Sequence, residues 1–196
     1  MTPTQNEQAK ISGIVCEVLN ESYVSLQVKN FILEEDLEND ESLVNCQLML
    51  GEKEIQLEGQ GSGVVDALFC AIINVLSPEF SSLNNIQLVD FILKAKPTKK
   101  GFGSAGFVNI ELAVTNSRGK KIHFLHKSKS IIGAAISVIQ KTIEYFINSE
   151  LAMIQLKKSL QNAEERGRMD LVTKYTDMMS ELVKNMPYNK IIMEKE

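Results

Sequence analysis

The chain repeats itself, and a repeat fixes an architecture before any single element is assigned. Leu26-Gln27-Val28-Lys29-Asn30-Phe31-Ile32-Leu33 returns sixty positions later as Ile86-Gln87-Leu88-Val89-Asp90-Phe91-Ile92-Leu93, with Gln, Phe, Ile and Leu kept in place. Leu43-Val44-Asn45-Cys46-Gln47-Leu48 returns as Phe107-Val108-Asn109-Ile110-Glu111-Leu112, offset by sixty-four. Ile55-Gln56-Leu57 and the helical pattern behind it return as Ile122-His123-Phe124 and its helix, offset by sixty-seven. The order is preserved and only the loops differ in length.

Each unit carries three apolar, β-rich stretches followed by one long stretch with helical spacing, so each reads strand, strand, strand, helix. The first unit spans 22–80 and the second 84–148. Gly51-Glu52-Lys53-Glu54 and Asn116-Ser117-Arg118-Gly119-Lys120 have hairpin chemistry, which makes the strands antiparallel. The first helix opens after Gly61-Ser62-Gly63, places Val65, Leu68, Phe69, Ile72, Ile73 and Leu76 on one face, and stops before Pro78. The second opens near Ser128 to Ser130 and runs through Ile131, Ala135, Val138, Ile139, Thr142 and Phe146. One sheet covered by one helix leaves an unfinished core, so the two units are expected to pack together, within a chain or between chains.

Helical patterns flank the repeat. Residues 1–21 form an N-terminal extension, helical over about 5–20 through Ile11, Ile14, Val15 and Val18. In 149–196, Leu151, Ile154, Leu156 and Leu160 predict helix to about 165, and Gly167 offers a break. Leu171, Val172, Tyr175, Met178, Met179, Leu182 and Val183 then form one stripe that Pro187 ends. The fold class expected is α+β: a 22–148 domain of two βββα repeats, plus a C-terminal helical hairpin that packs on the domain, on a second subunit, or on a separate partner.

Composition narrows the function. With 196 residues, 44% hydrophobic and 23% charged, the chain suits one globular domain with an appendage. A net charge of −4 and a pI near 5.4 give no general pull towards nucleic acid or an anionic membrane. No apolar run reaches the roughly 18 residues of a membrane span and no signal peptide is evident, so a cytoplasmic protein is expected. Cys16, Cys46 and Cys70 sit among apolar neighbours and read as reduced core thiols. His123 and His126, three apart on a strand, point to opposite faces and cannot share a metal. No nucleophilic triad, Cys-His pair or paired carboxylates can be assembled, so neither catalysis nor a metal or cofactor is expected.

Two glycine-rich segments remain. Gly101-Phe102-Gly103-Ser104-Ala105-Gly106 spells G-x-G-x-x-G, but a strand follows it where a dinucleotide fingerprint needs a helix, so it reads as a loop. Gly59 to Ala67 leads into a helix, where glycines let backbone N–H groups approach a ligand and the helix N-terminus favours a carboxylate. Asp66, in the first turn, serves there as a dipole partner or as an acceptor for an ammonium group. The alternative is that these glycines only shape a tight strand-to-helix turn. Lysines 94, 96, 99, 100, 120, 121, 127 and 129 gather in the second unit against the acidic run Glu34 to Glu41 in the first, an asymmetry that either complements one subunit against another or is simply solvated.

The segment Gly59-Gln60-Gly61-Ser62-Gly63-Val64-Val65-Asp66-Ala67-Leu68 is similar to the G-x-G-P-V-D-A-L helix start in the regulatory domain of α-isopropylmalate synthases and citramalate synthases, with Val64 where that family usually has proline. Ser130-Ile131-Ile132-Gly133-Ala134-Ala135 resembles the family's D-I-I-E-A-S, with Ser130 in place of the acid and Gly133 in place of the glutamate. Gly103-Ser104-Ala105-Gly106-Phe107-Val108 stands where the family has G-T-D-A-x-G, in a shorter form without the aspartate. The resemblance covers about residues 22–148. It implies a homodimer that binds leucine or another branched-chain amino acid near its interface, through Gly61, Gly63, Val65, Asp66, Ala67, Gly103, Ser104, Ala105, Ser130 and Ile131. The family's catalytic barrel needs about 250 residues, so the resemblance implies a stand-alone regulatory and dimerisation module acting on a separate synthase subunit in branched-chain amino-acid biosynthesis. A ligand-free dimeric scaffold that uses its C-terminal helices, and the regulatory piece of a split synthase, are the other readings.

Overall fold

A computed structural model describes residues 3–96, 106–116 and 119–184. Helix α1 (Pro3–Leu19) leads into β1 (Leu26–Asp36), β2 (Glu41–Leu50), β3 (Lys53–Gly61) and helix α2 (Val64–Leu76). A short 3-10 turn, Ser81–Asn85, starts the second round: β4 (Gln87–Lys96), β5 (Phe107–Thr115), β6 (Lys121–Ser128) and helix α3 (Ile131–Glu165), followed by α4 (Met169–Val183). The strands make two three-stranded antiparallel sheets, ordered β1-β2-β3 and β4-β5-β6. The α+β class and the doubled strand-strand-strand-helix order are therefore as the repeat dictates.

Register sharpens the repeat. Leu33 pairs with Val44 and Leu93 with Ile110, so with β1 and β4 aligned at sixty the second strands correspond at sixty-six, not at the sixty-four of the sequence match. The slip is by two residues, and because strand side chains alternate with period two, every inward residue stays inward. Both first strands also carry a bulge, between Lys29 and Ile32 and between Leu88 and Asp90. Asn30 adopts the left-handed conformation there, with φ 48°.

The two units close on each other within one chain. Helix α2 lies on β3 and β2, α3 lies on β6, β5 and β1, and the helices touch each other. A single apolar cluster joins Val44, Cys46, Leu48 and Leu57 of the first sheet to Ile110, Leu112, Val114 and Ile122 of the second through Leu68, Ile72, Val138, Ile139 and Phe146 of the helices. The outer faces of both sheets are left to polar and half-exposed side chains, as in the buried-exposed alternation of β2.

Helix α3 orients β1 with polar side chains. Gln140 donates to the carbonyl of Leu26 at 2.8 Å, Glu144 accepts the Leu26 N–H, and Asn148 both accepts from and donates to the backbone of Val24, each at 2.8 Å. Gln140 and Glu144, one helical turn apart, take the two polar groups of Leu26, and Asn148, one turn further on, takes those of Val24, just ahead of the strand. Asn148 is fully buried in the process.

Several expectations need correction. The boundary drawn at 148 falls inside α3, one uninterrupted helix of 35 residues whose first half belongs to the repeat and whose second half supplies the hairpin. The N-terminal extension is not separate from the C-terminal one: Ile11, Val15 and Leu19 of α1 pack with Ala152, Met153 and Leu156 of α3 and Met178 and Leu182 of α4 in a second cluster. Gly167, with φ 66°, does make the break. Cys46 is a core thiol, but Cys16 and Cys70 are exposed. Glu34 to Asp36 belong to β1, so only 37–40 of the acidic run form a turn. Ile131, a candidate ligand contact at the start of α3, is 50% exposed.

Candidate functional site

The corner between β3 and α2 is built by two glycines on the last strand. A Cβ on Gly61 would come within 2.5 Å of the Ala67 nitrogen and 2.7 Å of Asp66 Oδ2. On Gly59 it would meet the Ala67 carbonyl oxygen at 2.5 Å and the Ala71 Cβ at 2.6 Å. Both are closer than carbon can approach, so glycine at these positions lets the helix lie flat against the strand. Ala67 and Ala71 complete the contact as small residues on the helix side. Gly63 ends the turn at φ 154°, a backbone region that side chains avoid, with open space around it.

Asp66 folds back over this turn. Its Oδ2 accepts the backbone N–H of Ser62 at 3.1 Å and the Ser62 hydroxyl at 3.4 Å, and its Oδ1 accepts the Cys70 thiol at 3.6 Å. Partial desolvation pushes the Cys70 thiol up, and the neighbouring Asp66 carboxylate pushes it further. The first backbone bond of α2 runs from the Ala67 N–H to the Gly63 carbonyl at 2.9 Å. The preceding amides of Val64, Val65 and Asp66 are those a helix leaves without an internal partner, and Gly63 has no side chain to cap them. A small carboxylate fits the electrostatics of such a start.

The matching corner of the second unit is finished differently. The Ser130 hydroxyl accepts the Gly133 N–H at 3.0 Å and so caps α3, while Ser128 Oγ accepts the Ser130 N–H at 3.3 Å. Ser130 thus acts as a helix cap. No hydrogen bond among the described residues links the two corners. Gly103, Ser104 and Ala105, with most of the G-x-G-x-x-G segment, lie outside the described residues; Gly106 precedes β5, a strand, as the loop reading requires.

The two histidines take opposite faces of β6. His123 Nδ1 lies 2.8 Å from Glu111 Oε1 on the outer face, and His126 Nδ1 lies 3.0 Å from Lys141 Nζ of α3 on the inner one. Partial burial, then the Lys141 charge, hold His126 below the usual imidazole range. No group of three or more metal-ligating side chains occurs among the described residues, and none of their helices is long and apolar enough to cross a membrane.

Two features escaped the sequence reading. A hollow of about 430 Å³ opens on the outer face of the first sheet, floored by Ile32 and Leu43 and bordered by Glu34, Glu58 and Gln60. The second is Glu150, 3% exposed, which accepts from Ser81 N–H at 3.2 Å, Ser81 Oγ at 2.9 Å and Ser82 N–H at 2.7 Å, and so fastens the linker between the units to α3. Its signal was available: Asn148-Ser149-Glu150 is a polar triplet between the apolar runs Tyr145-Phe146-Ile147 and Leu151-Ala152-Met153. Desolvation raises the Glu144 carboxyl against the opposing Leu26 hydrogen bond and Lys141 charge. Comparison of the sequence with protein-family models and with curated proteins finds no match.

Proposed function

We propose that the chain is a regulatory and dimerisation module that senses a small amino acid, leucine or a branched-chain relative, and acts on a catalytic unit such as a synthase of the α-isopropylmalate type. The observation that carries this reading is the β3–α2 corner, where a helix without a side-chain cap opens from a glycine turn beside a carboxylate. That arrangement offers backbone N–H groups to a ligand carboxylate, and Asp66 Oδ1 to its ammonium once the Cys70 thiol turns away. The chain itself is non-catalytic in this reading. A thermal-shift titration of the full chain with leucine, isoleucine, valine and their 2-oxo acids, run beside a light-scattering mass, tests it. A melting temperature that climbs with one ligand's concentration on a dimeric particle is expected; a flat response to all of them refutes sensing.

A second reading, a dimeric scaffold that binds no effector, is favoured by the extent to which the corner serves the fold. Gly59 and Gly61 are required by packing, Asp66 already has donors, and Ser130 is a helix cap. Under it, the flat titration comes with an unchanged dimer.

A further inference from the structure

The outer faces of the two sheets correspond position by position and differ in charge along one row, with Glu111, held by His123, remaining as a carboxylate on the second. With the strands aligned by register, Ile32 corresponds to Ile92, Glu34 to Lys94, Glu58 to Leu125 and Gln60 to Lys127. One row of the first sheet therefore reads Glu34, Leu43, Gln60, where the second reads Lys94, Asn109, Lys127. The helices lie on the inner faces, so these rows face outwards. Apolar side chains sit among the charges on both: Ile32 is 58% and Leu43 49% exposed on the acidic face, Leu125 47% and Phe107 38% on the basic one. Lys127 lies 4.4 Å from the centre of the Phe107 ring, holding cation and apolar surface together.

We infer that the acidic face of β1-β2-β3 in one copy receives the basic face of β4-β5-β6 in a second copy. The hollow bordered by Glu34 and Glu58 takes Phe107 or Leu125, while Lys94 and Lys127 meet the carboxylates. Two twisted sheets stack face to face at about 10 Å, a spacing that these side chains fill. The partner is this chain itself because the complementarity lies between its own two repeats, at corresponding positions. Such a contact is heterologous: each copy offers both faces, so association deepens with concentration and with falling salt. The inference rests on the self-association in the proposed function and extends it: a head-to-tail contact of this kind adds copies beyond the dimer as concentration rises.

Charge reversal tests it on the full chain by sedimentation velocity. Glu34→Lys alone and Lys94→Glu alone each place like charges across the contact and are expected to weaken association by roughly tenfold, as is raising salt to about 1 M, where the Debye length is about 3 Å. Mixing the two variants, or combining both changes in one chain, restores an opposite-charge pair and is expected to recover the assembly. Circular dichroism checks that each exposed substitution leaves the fold intact. Association that is unchanged in both single variants, or that is lost in them and not recovered in the mixture, overturns the inference. So does a wild-type chain that stays monomeric at every concentration. A dimer indifferent to both reversals that still responds to leucine would overturn this surface and leave the sensing reading standing.

Discussion

Replacing Gly61 with alanine tests whether the glycines at the β3–α2 corner serve packing. The new Cβ would lie 2.5 Å from a backbone nitrogen and 2.9 Å from the Ala67 Cα, atoms that cannot swing aside, so strand and helix must separate by about 1 Å. Overpacking of this kind costs about 1–3 kcal/mol, and the backbone entropy that alanine saves in the unfolded chain returns at most about 1 kcal/mol. The net loss is then about 1–2 kcal/mol, or a fall of about 2–8 °C in melting temperature for a chain of this size. Gly59→Ala, which meets the Ala67 carbonyl and the Ala71 Cβ, should do the same. Gly13→Ala, on the exposed side of α1 with nothing within 4 Å, is the control and should raise stability by about 0.5–1 kcal/mol. Chemical denaturation of the three variants decides it. A Gly61→Ala protein as stable as the parent, with only ligand response lost, would refute the packing argument.

Other consequences are open to measurement. Glu150→Ala strands three buried donors on Ser81 and Ser82 and should cost about 3 kcal/mol or more in urea denaturation, with Glu150→Gln intermediate. Ser149 carries a fully buried hydroxyl that has no hydrogen-bond partner among the described residues, so Ser149→Ala should be neutral or stabilising by about 1 kcal/mol in the same assay. The Glu144 carboxyl is raised in the folded state, so the native protein favours its protonated form. Its contribution is greatest below the unfolded value of about 4.3 and is lost as pH rises through the folded one. Glu144→Gln keeps an acceptor for the Leu26 N–H, so its melting temperature relative to the parent should improve as pH rises from about 4 to 7. At the acid end, Arg168 holds Asp170 at about 2, so this carboxylate stabilises above its ordinary range and its help fades as pH falls from about 4 towards 2. Asp170→Asn should flatten that limb of a melting-temperature profile.

The repeat made the strands, their pairing and the first helix legible, because period-two and period-3.6 patterns are local properties of the chain. What stayed hidden depends on contacts far apart in sequence. Nothing between Asn148 and Leu151 breaks a helix, yet the division at 148 follows from treating the repeat as a closed unit; α3 continues because α1 and α4 supply a second core for its distal half. A chain cut at 148 would end in mid-helix and expose that core. The side chains of Gln140, Glu144 and Asn148 read as an ordinary polar stripe until β1 is seen lying beside them. At the candidate site, the glycines were visible as a turn into a helix, but only the distances to Ala67 and Ala71 separate a packing requirement from a ligand approach. Ser130, read in the sequence as a replacement for an acid, proves to be occupied as a cap.

Amide hydrogen exchange at the first turn of α2, with and without saturating leucine or the branched-chain ligand that gives the largest thermal shift, probes the central proposal most directly. Protection concentrated at Val64, Val65 and Asp66, and abolished by Asp66→Asn without loss of fold, is the result the sensing reading predicts. Exchange at these amides unchanged by every such ligand, on a protein whose melting temperature is also unmoved, would contradict it and leave the doubled βββα core as a scaffold for self-association.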